Sequence, residues 1–303
     1  MRIAHVSDLH ILDLAGVGWT RFLNKRLTGL VMLIGKRKEA HPVRLARRLV
    51  EALLELEPDH VVVTGDLTNL SLESELAAAR EVLAPLGDHT RLSLIPGNHD
   101  VYTRGSERAR RFERTFAPWM WPGVDGPDEH HYPWVKRLAG RDGSGDVTLL
   151  GFGSAVARLP LIATGVVSAR QLERLAEVAP SLSSSFPIAL VHHNLHVRGW
   201  RKDRMHGLAN RDGFLAACSA AGVRLVLHGH THVAHRFVHD GMDVIGSGSS
   251  TWWSERDDHI ARFNVYRIAG GRLEGVEVRR YDRATDRFEP LAAARDEAAQ
   301  AGI

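Results

Sequence analysis

The sequence contains a single cysteine and no long apolar run. Cys218 is the only cysteine among 303 residues, so an internal disulfide is excluded. No apolar stretch approaches the roughly 20 residues that a helix needs to cross a bilayer. A predicted strand follows Met1 almost at once, without the pattern of a secretory leader. We therefore expect a protein of a reducing compartment, the cytoplasm, and leave peripheral contact with the inner membrane face as an open alternative.

A strong charge of either sign is also missing. The chain has 39 Lys and Arg residues against 36 Asp and Glu residues, which gives a formal net charge of +3. Such a small excess gives no global signal for nucleic acid, so any electrostatic attraction must be local. We expect no nucleic-acid partner. The oligomeric state stays open.

Short apolar strands alternate with helical patterns through the first hundred residues. Strands are predicted near 3–6, 60–64 and 91–95, and helices at 42–57 and 71–86. This alternation indicates an α/β architecture with a partly parallel sheet. Beyond residue 232 four further strands are separated by Asp-Gly and Gly-Gly turns, which favour antiparallel hairpins. We expect two sheets packed face to face with helices outside, in one domain over residues 1–290.

Side chains able to bind metal follow five of the predicted strands. Functional groups in parallel sheets gather outside the carboxyl ends of the strands, so these side chains are expected to lie close together. They are oxygen and imidazole donors without a thiolate, a set that suits Mn, Fe or Zn. The set is too large for one ion and fits two ions that share a carboxylate. Its members are Asp8, His10, Asp66, Asn98, His99, His192, His230 and His232.

The ordered motifs that contain these residues resemble the calcineurin-like metallophosphoesterase superfamily. The resemblance implies a four-layer α-β-β-α sandwich with two mixed β-sheets. It also implies two divalent metal ions, with manganese favoured and iron or zinc as alternatives. The motifs are Asp8-Leu9-His10, Gly65-Asp66, Gly97-Asn98-His99-Asp100, His192-His193 and Gly229-His230-Thr231-His232.

The resemblance also implies a role for each site residue. His99 would be the catalytic histidine, and Asp100 the acidic partner that orients it. The first metal would be held by Asp8, His10, Asp66 and His232, and the second by Asp66, Asn98, His192 and His230. Either His192 or His193 could be the ligand of the paired histidines, and His192 is favoured because it leaves the buried strand. Asn194 stands where many phosphodiesterases of the superfamily have proline, which leaves the substrate subfamily open.

The function implied by the resemblance is hydrolysis of a phosphoester substrate, either a phosphodiester or a pyrophosphate, by hydroxide activated between two metals. A cyclic-nucleotide phosphodiesterase, a nuclease and a non-catalytic scaffold like the retromer subunit of the superfamily are alternatives. Scaffolds of that kind lose ligands or the catalytic histidine, and this sequence keeps all of them. The modest net charge counts against a nuclease.

Residues 19–41 combine a predicted apolar helix face with a local excess of basic residues. A helix of this kind can lie in a membrane interface, with its cations on anionic head groups. The substrate would then be a lipid-linked phosphoester, by analogy with the UDP-2,3-diacylglucosamine pyrophosphohydrolases of the superfamily. Alternatively, the helix docks on the protein's own core and leaves a solvated basic edge. The apolar positions are Trp19, Phe22, Leu23, Leu27, Leu30, Val31 and Ile34, and the basic ones Arg21, Lys25, Arg26, Lys36, Arg37 and Lys38.

Two further segments have an irregular pattern. Residues 101–145 contain Trp119, Trp121 and Trp134 among several Pro and Gly residues. They form either an insertion over the rim of the site or a small satellite core filled by these aromatic side chains. Residues 291–303 are rich in Ala and predict a C-terminal tail with a short helix.

Overall fold

Two mixed β-sheets lie face to face at the centre of the molecule, with helices on their outer sides. The computed structural model describes residues 1–33, 41–121, 132–140 and 145–291. One hydrophobic core joins residues of both sheets to the helices that cover the first sheet. A second core joins the outer face of the second sheet to its own helices. This is the four-layer α-β-β-α sandwich that the sequence predicted.

The first sheet has the strand order β12-β11-β10-β1-β2-β3. Strands β1, β2 and β3 are parallel, and β10 pairs with β1 in the antiparallel sense. The late hairpin strands therefore extend the sheet that the N-terminal strands begin. The bounds are β1 Arg2–Val6, β2 His60–Val63, β3 Leu92–Leu94, β10 Arg262–Ala269, β11 Arg272–Asp282 and β12 Arg287–Pro290.

The second sheet has the strand order β4-β5-β6-β7-β9-β8. Its four central strands, β5, β6, β7 and β9, are parallel, and the edge strands β4 and β8 are antiparallel to their neighbours. The bounds are β4 Trp134–Leu138, β5 Val147–Gly151, β6 Phe186–Leu190, β7 Leu225–His228, β8 Ala234–His239 and β9 Met242–Ser247.

The helices follow from amphipathic spacing and local capping. In α2 the buried residues Leu45, Leu49 and Leu53 recur every four positions, as predicted, and cover the first sheet. The Ser168 side chain caps α6 by accepting from the backbone of Gln171. No helix among the described residues is long and apolar enough to cross a membrane. The bounds are α1 Lys25–Met32, α2 Val43–Leu56, α3 Glu73–Leu83, α4 Arg104–Arg108, α5 Arg111–Met120, α6 Ala169–Leu182, α7 Trp200–His206 and α8 Arg211–Ala220.

One of the two alternatives for segment 101–145 is wrong. Trp119, Trp121 and Trp134 lie in the main core with residues of both sheets, and not in a satellite core. Residues 122–131 and 141–144 lie outside the described residues, and the insertion over the rim of the site stays a prediction. The segment also supplies β4, an edge strand whose residues alternate between buried and accessible. The irregular composition hid these elements, because an edge strand buries only one face. The predicted C-terminal helix lies outside the described residues.

Candidate metal centre

The predicted ligands meet where the parallel strands of both sheets end, and five of them have a left-handed backbone. Non-glycine residues rarely adopt positive φ, although Asp and His tolerate it better than most. Each such residue costs on the order of 1–3 kcal/mol and is found preferentially at functional sites. The strained turns direct the side chains towards one place. The φ angles are 57° at Asp8, 47° at His10, 54° at Asp66, 74° at His230 and 59° at His232.

Two glycines allow the strand ends to approach each other closely. A Cβ atom on Gly229 would lie 1.9 Å from Ser7 Oγ and 2.6 Å from Asp8 Oδ2. A Cβ atom on Gly97 would lie 2.2 Å from Asp66 Oδ1. Only glycine fits at these two positions, because real Cβ contacts are never so short. The motif glycines are therefore part of what brings the carboxylates into the cluster.

The first group of candidate ligands combines residues from three strand ends. Ligand atoms of Asp8, His10, Asp66 and His232 all lie within 4.8 Å of one another. His232 Nε2 is 3.3 Å from Asp8 Oδ1, and His10 Nε2 is 3.7 Å from Asp66 Oδ2. The Nε2 atoms of His10 and His232 are 3.0 Å apart. Four donor atoms thus converge on one point.

The second group shares Asp66 with the first. Ligand atoms of Asp66, His192 and His230 lie within 4.8 Å of one another. Asn98 Oδ1 is 3.1 Å from His192 Nε2 and 2.9 Å from His230 Nδ1, so this amide oxygen joins the group. All seven predicted ligands are therefore brought together, in the two sets that the family resemblance implied.

The hydrogen bonds of His192 test whether a cation fits the second group. Its Nδ1 lies 2.7 Å from the carbonyl oxygen of Thr64 and must donate to it. In the neutral ring, Nε2 then has a lone pair directed at two acceptors, Asp66 Oδ2 at 3.3 Å and Asn98 Oδ1. A bound cation would resolve this clash of acceptors. Burial lowers the pKa of His192, but the negative charge of Asp66 outweighs this effect and raises that pKa to about 9.

The imidazoles of His10 and His230 favour the neutral form that metals bind. Burial, and then the neighbouring histidines His41 and His99, hold the pKa of His10 well below its usual range. Burial and the neighbouring His193 and His192 do the same for His230. Neutral imidazoles next to carboxylates are ready to ligate without first losing protons. The donor set therefore fits two divalent cations.

His99 lies beside both groups, but it is not oriented by Asp100 as the sequence suggested. The His99 Nδ1 atom donates to the carbonyl oxygen of Asn69 at 2.7 Å. Both carboxylate oxygens of Asp100 instead accept from the backbone amides of Leu67, Thr68 and Gly97. The predicted role of Asp100 is corrected accordingly: it ties two strand-end loops together, and a backbone carbonyl fixes the ring of His99.

His193 is turned away from the metal centre. Its Nε2 donates to the carbonyl oxygen of Ala163 at 3.0 Å, and its Nδ1 lies 2.8 Å from Ser154 Oγ. The structure therefore places His192, and not His193, among the candidate ligands.

His41 lies beside the first group and was not among the predicted site residues. The nitrogens of His10, His41 and His232 lie within 4.8 Å of one another. His41 Nδ1 is 2.9 Å from Thr251 Oγ1, whose hydroxyl donates to the carbonyl of Leu9. Nδ1 must therefore carry the proton, which leaves the lone pair on Nε2 in the neutral ring. A search of strand ends could not find His41, because it precedes a helix.

The segment 19–33 packs one side against the loop after β2 and exposes the other. Arg26, predicted on a basic surface, is buried and donates to the carbonyls of Leu70 and Ser71 at 2.7 and 2.8 Å. Leu33 packs with Leu70 in a small cluster. Ile34 and the basic residues 36–38 lie outside the described residues. The exposed side, named here the 19–31 stripe, comprises Trp19, Leu23, Leu27 and Val31, which are 73%, 67%, 52% and 63% accessible.

Comparison with a protein-family model shows the family to which this chain belongs. The model of the calcineurin-like phosphoesterases matches residues 1–234, which contain all seven candidate ligands. The chain belongs to this family. The named motifs therefore stand in a calcineurin-like phosphoesterase, and the predicted resemblance is confirmed.

Individual relatives of this calcineurin-like phosphoesterase are distant. Metallophosphoesterase 1 of Cricetulus griseus is 24% identical over 246 aligned residues, and the match covers 71% of this chain and 60% of that relative. The chain therefore spans less than two thirds of that relative's length. A dimetal phosphatase from Danio rerio has a TM-score of 0.59 at 14% identity and covers 92% of this chain and 95% of its own. A purple acid phosphatase from yellow lupin has a TM-score of 0.57 at 12% identity, with coverages of 96% and 52%. These two structures support the fold.

Proposed function

We propose that this protein hydrolyses phosphoester bonds, in phosphodiesters or pyrophosphates, with two divalent metal ions. The observation that carries the proposal is that Asp66 belongs to both groups of candidate ligands. The first ion would be held by Asp8, His10, Asp66 and His232. The second would be held by Asp66, Asn98, His192 and His230. Manganese is favoured, with iron or zinc as alternatives, because the set mixes imidazole with oxygen donors.

The bound metals would act as Lewis acids on the phosphoryl oxygens and lower the pKa of water. The protein's own residues supply orientation and a proton. The ring of His99 is oriented because its Nδ1 donates to the carbonyl oxygen of Asn69, and in this proposal the imidazole protonates the leaving oxygen. Its backbone amide also donates to Asp66 Oδ1 at 2.8 Å, which couples the position of His99 to the shared carboxylate. Such general-acid catalysis contributes roughly 10²–10⁴-fold to the rate.

A substrate panel tests this proposal. The protein is stripped with a chelator, reloaded with Mn²⁺, and assayed on bis-p-nitrophenyl phosphate, p-nitrophenyl phosphate, cyclic nucleotides and pyrophosphate esters. Hydrolysis should disappear on stripping and return on reloading. Full turnover by the stripped protein, or no turnover of any phosphoester by the reloaded protein, would refute the proposal.

A lipid-linked phosphoester is the second candidate substrate, favoured by the 19–31 stripe. Its four large apolar side chains recur every fourth residue through a 3-10 helix and α1, and they are exposed in the segment that follows the candidate ligands Asp8 and His10. Apolar helix faces of this kind insert into the interface of a bilayer. The peripheral membrane contact proposed here would present a lipid-linked phosphate to the metals. Acylated pyrophosphates should then be cleaved faster than their deacylated forms, and equal rates would contradict this candidate.

A further inference from the structure

A second exposed apolar surface lies next to the metal centre, on the side of the second sheet. It is formed by two loops and the start of α7, and is named here the 159–205 patch. Isolated exposed apolar residues are normal on a protein surface, but a group of large ones marks an interaction site. The patch comprises Leu159, Leu161, Val197, Trp200 and Met205, which are 67%, 59%, 71%, 71% and 41% accessible.

Hydrogen bonds fix the patch beside the candidate ligands. The backbone amide of Ala163 donates to the carbonyl of Met205 at 2.8 Å, which ties the two loops together. The carbonyl of Ala163 accepts from His193, the residue next to the candidate ligand His192. A Cβ atom on Gly165 would lie 2.2 Å from His193 Nδ1, so the loop lies directly against that ring. The patch is therefore held against the second group of candidate ligands.

The patch is locally basic although the whole chain is nearly neutral. Segments 155–165 and 195–207 contain five Arg and Lys residues and one acid, Asp203. That acid is already engaged, because it accepts from the backbone amide of Arg198 at 3.0 Å. The Arg201 guanidinium lies 5.3 Å from the ring centre of Trp200, so cationic and apolar groups are interleaved. The basic residues are Arg158, Arg198, Arg201, Lys202 and Arg204.

Most of the large exposed hydrophobic side chains in the described ranges fall in two segments of the chain. Ten of the fourteen large exposed hydrophobic residues in the described ranges lie either between Leu14 and Val31 or in the 159–205 patch. The first group follows the end of β1, and the second follows the ends of β5 and β6. Of these strands, β1 is followed by the candidate ligands Asp8 and His10, and β6 by the candidate ligand His192.

We propose that the 159–205 patch binds the surface of an anionic lipid bilayer. Tryptophan prefers the head-group region, and the neighbouring arginines would pair with lipid phosphates. Interleaved cations and apolar side chains complement such a surface, whereas a protein interface is depleted in charge at its centre. The proposal rests on the proposed function in one respect, since it names the surface from which a lipid-linked substrate would enter. The binding itself is measured without substrate.

Cosedimentation with vesicles tests the proposal. The full chain is mixed with phosphatidylcholine vesicles that contain or lack phosphatidylserine, at low and high salt. We expect binding only with phosphatidylserine, weakened by salt. Each basic residue near an anionic surface strengthens partitioning about fivefold, so Arg201→Glu should weaken binding by at least about tenfold. Trp200→Ser should weaken it by a similar factor.

Matched controls lie on α2 and α3, the helices that cover the first sheet. Leu54 and Arg80 are exposed in the later turns of α2 and α3, which lead away from the strand ends that carry the ligands. Leu54→Ser and Arg80→Glu should bind vesicles as the unaltered protein does. Equal weakening by the control and the patch variants would overturn the proposal, because a general loss of charge or apolar surface would then explain it.

The remaining outcomes separate this proposal from the proposed function. If both patch variants bind vesicles as the unaltered protein does, the proposal that the 159–205 patch binds lipid is overturned, whatever the substrate of the enzyme. Sedimentation velocity tests a further outcome. If the unaltered protein self-associates and Trp200→Ser is monomeric, the patch binds a second copy of the chain, and the lipid proposal is overturned. Patch-dependent vesicle binding without faster cleavage of acylated substrates would support the patch while it refutes the lipid-linked substrate.

Discussion

Replacing Asp66 by asparagine is the sharpest perturbation of the proposed metal centre. Asp66 Oδ2 lies 3.7 Å from His10 Nε2 and 3.3 Å from His192 Nε2, so this carboxylate borders both groups of ligands. Asparagine keeps the shape and an oxygen that can still accept from the backbone amide of His99. The substitution thus removes one negative charge and leaves the local backbone hydrogen bond in place.

The expected effect follows from the number of ions that share this charge. Loss of a group that only supports a metal ligand costs 10–100-fold in affinity, so loss of a shared ligand should cost at least about 100-fold for each ion. A hundredfold is about 2.7 kcal/mol. His232→Gln is the matched control, because His232 belongs to the first group alone. That variant should lose one ion and keep the second.

Titration calorimetry with Mn²⁺ and elemental analysis of the dialysed proteins provide the measurement. We expect two ions in the unaltered protein, one in His232→Gln and fewer than one in Asp66→Asn. Far-ultraviolet circular dichroism should be unchanged in both variants, which separates metal loss from unfolding. If Asp66→Asn kept one ion at unaltered affinity, Asp66 would serve a single site and the shared-carboxylate reasoning would be wrong.

Four further substitutions probe the surroundings of the ligands. His99→Ala should lower kcat by roughly 10²–10⁴-fold while both ions stay bound, and a joint loss of metal would make His99 a ligand instead. His41→Ala should lower the affinity for the first ion about tenfold, and Thr251→Val should lower it less. Unchanged affinities in Mn²⁺ titrations would show that His41 does not contribute to the site. Gly229→Ala should lower the free energy of unfolding by about 1–3 kcal/mol, because its Cβ would lie 1.9 Å from Ser7 Oγ, and an unchanged denaturant midpoint would contradict this.

The parts of the fold and site that could be predicted from the sequence are those with a regular pattern. Strands buried on both faces read as apolar runs, and the ligands follow directly at their ends, as Asp8 does after β1. The edge strands β4 and β12 were missed because half-buried strands have a weaker pattern. His41 was missed because tertiary packing, and not local sequence, brings it to His10, with ring centres 4.7 Å apart.

Two other outcomes depended on contacts that spacing cannot reveal. The helix predicted from residue 19 is divided in the structure into a 3-10 helix at Trp19–Phe22 and α1 from Lys25. Spacing also could not show that Arg26 turns inward to two backbone carbonyls. The family motif places Asp100 next to His99, yet adjacency in sequence does not determine which acceptor the imidazole meets. The carbonyl oxygen of Asn69 accepts from His99 because the loop after β2 lies against the loop after β3.

The strained backbone of the metal centre leads to a last prediction, on stability. Five candidate ligands have positive φ, and each costs on the order of 1–3 kcal/mol that the folded protein must offset elsewhere. Each ion that binds only the folded state would stabilise it by about 2.7 kcal/mol when the free ion is at 100 times its Kd, so two ions would contribute about 5.4 kcal/mol. For a chain of this size that stabilisation raises Tm by roughly 8 °C. Chelation should therefore lower Tm by about that amount in the unaltered protein and much less in Asp66→Asn, as measured by calorimetry. An equal Tm with and without metal would mean that the turns at Asp8 and His232 are held without any contribution from an ion.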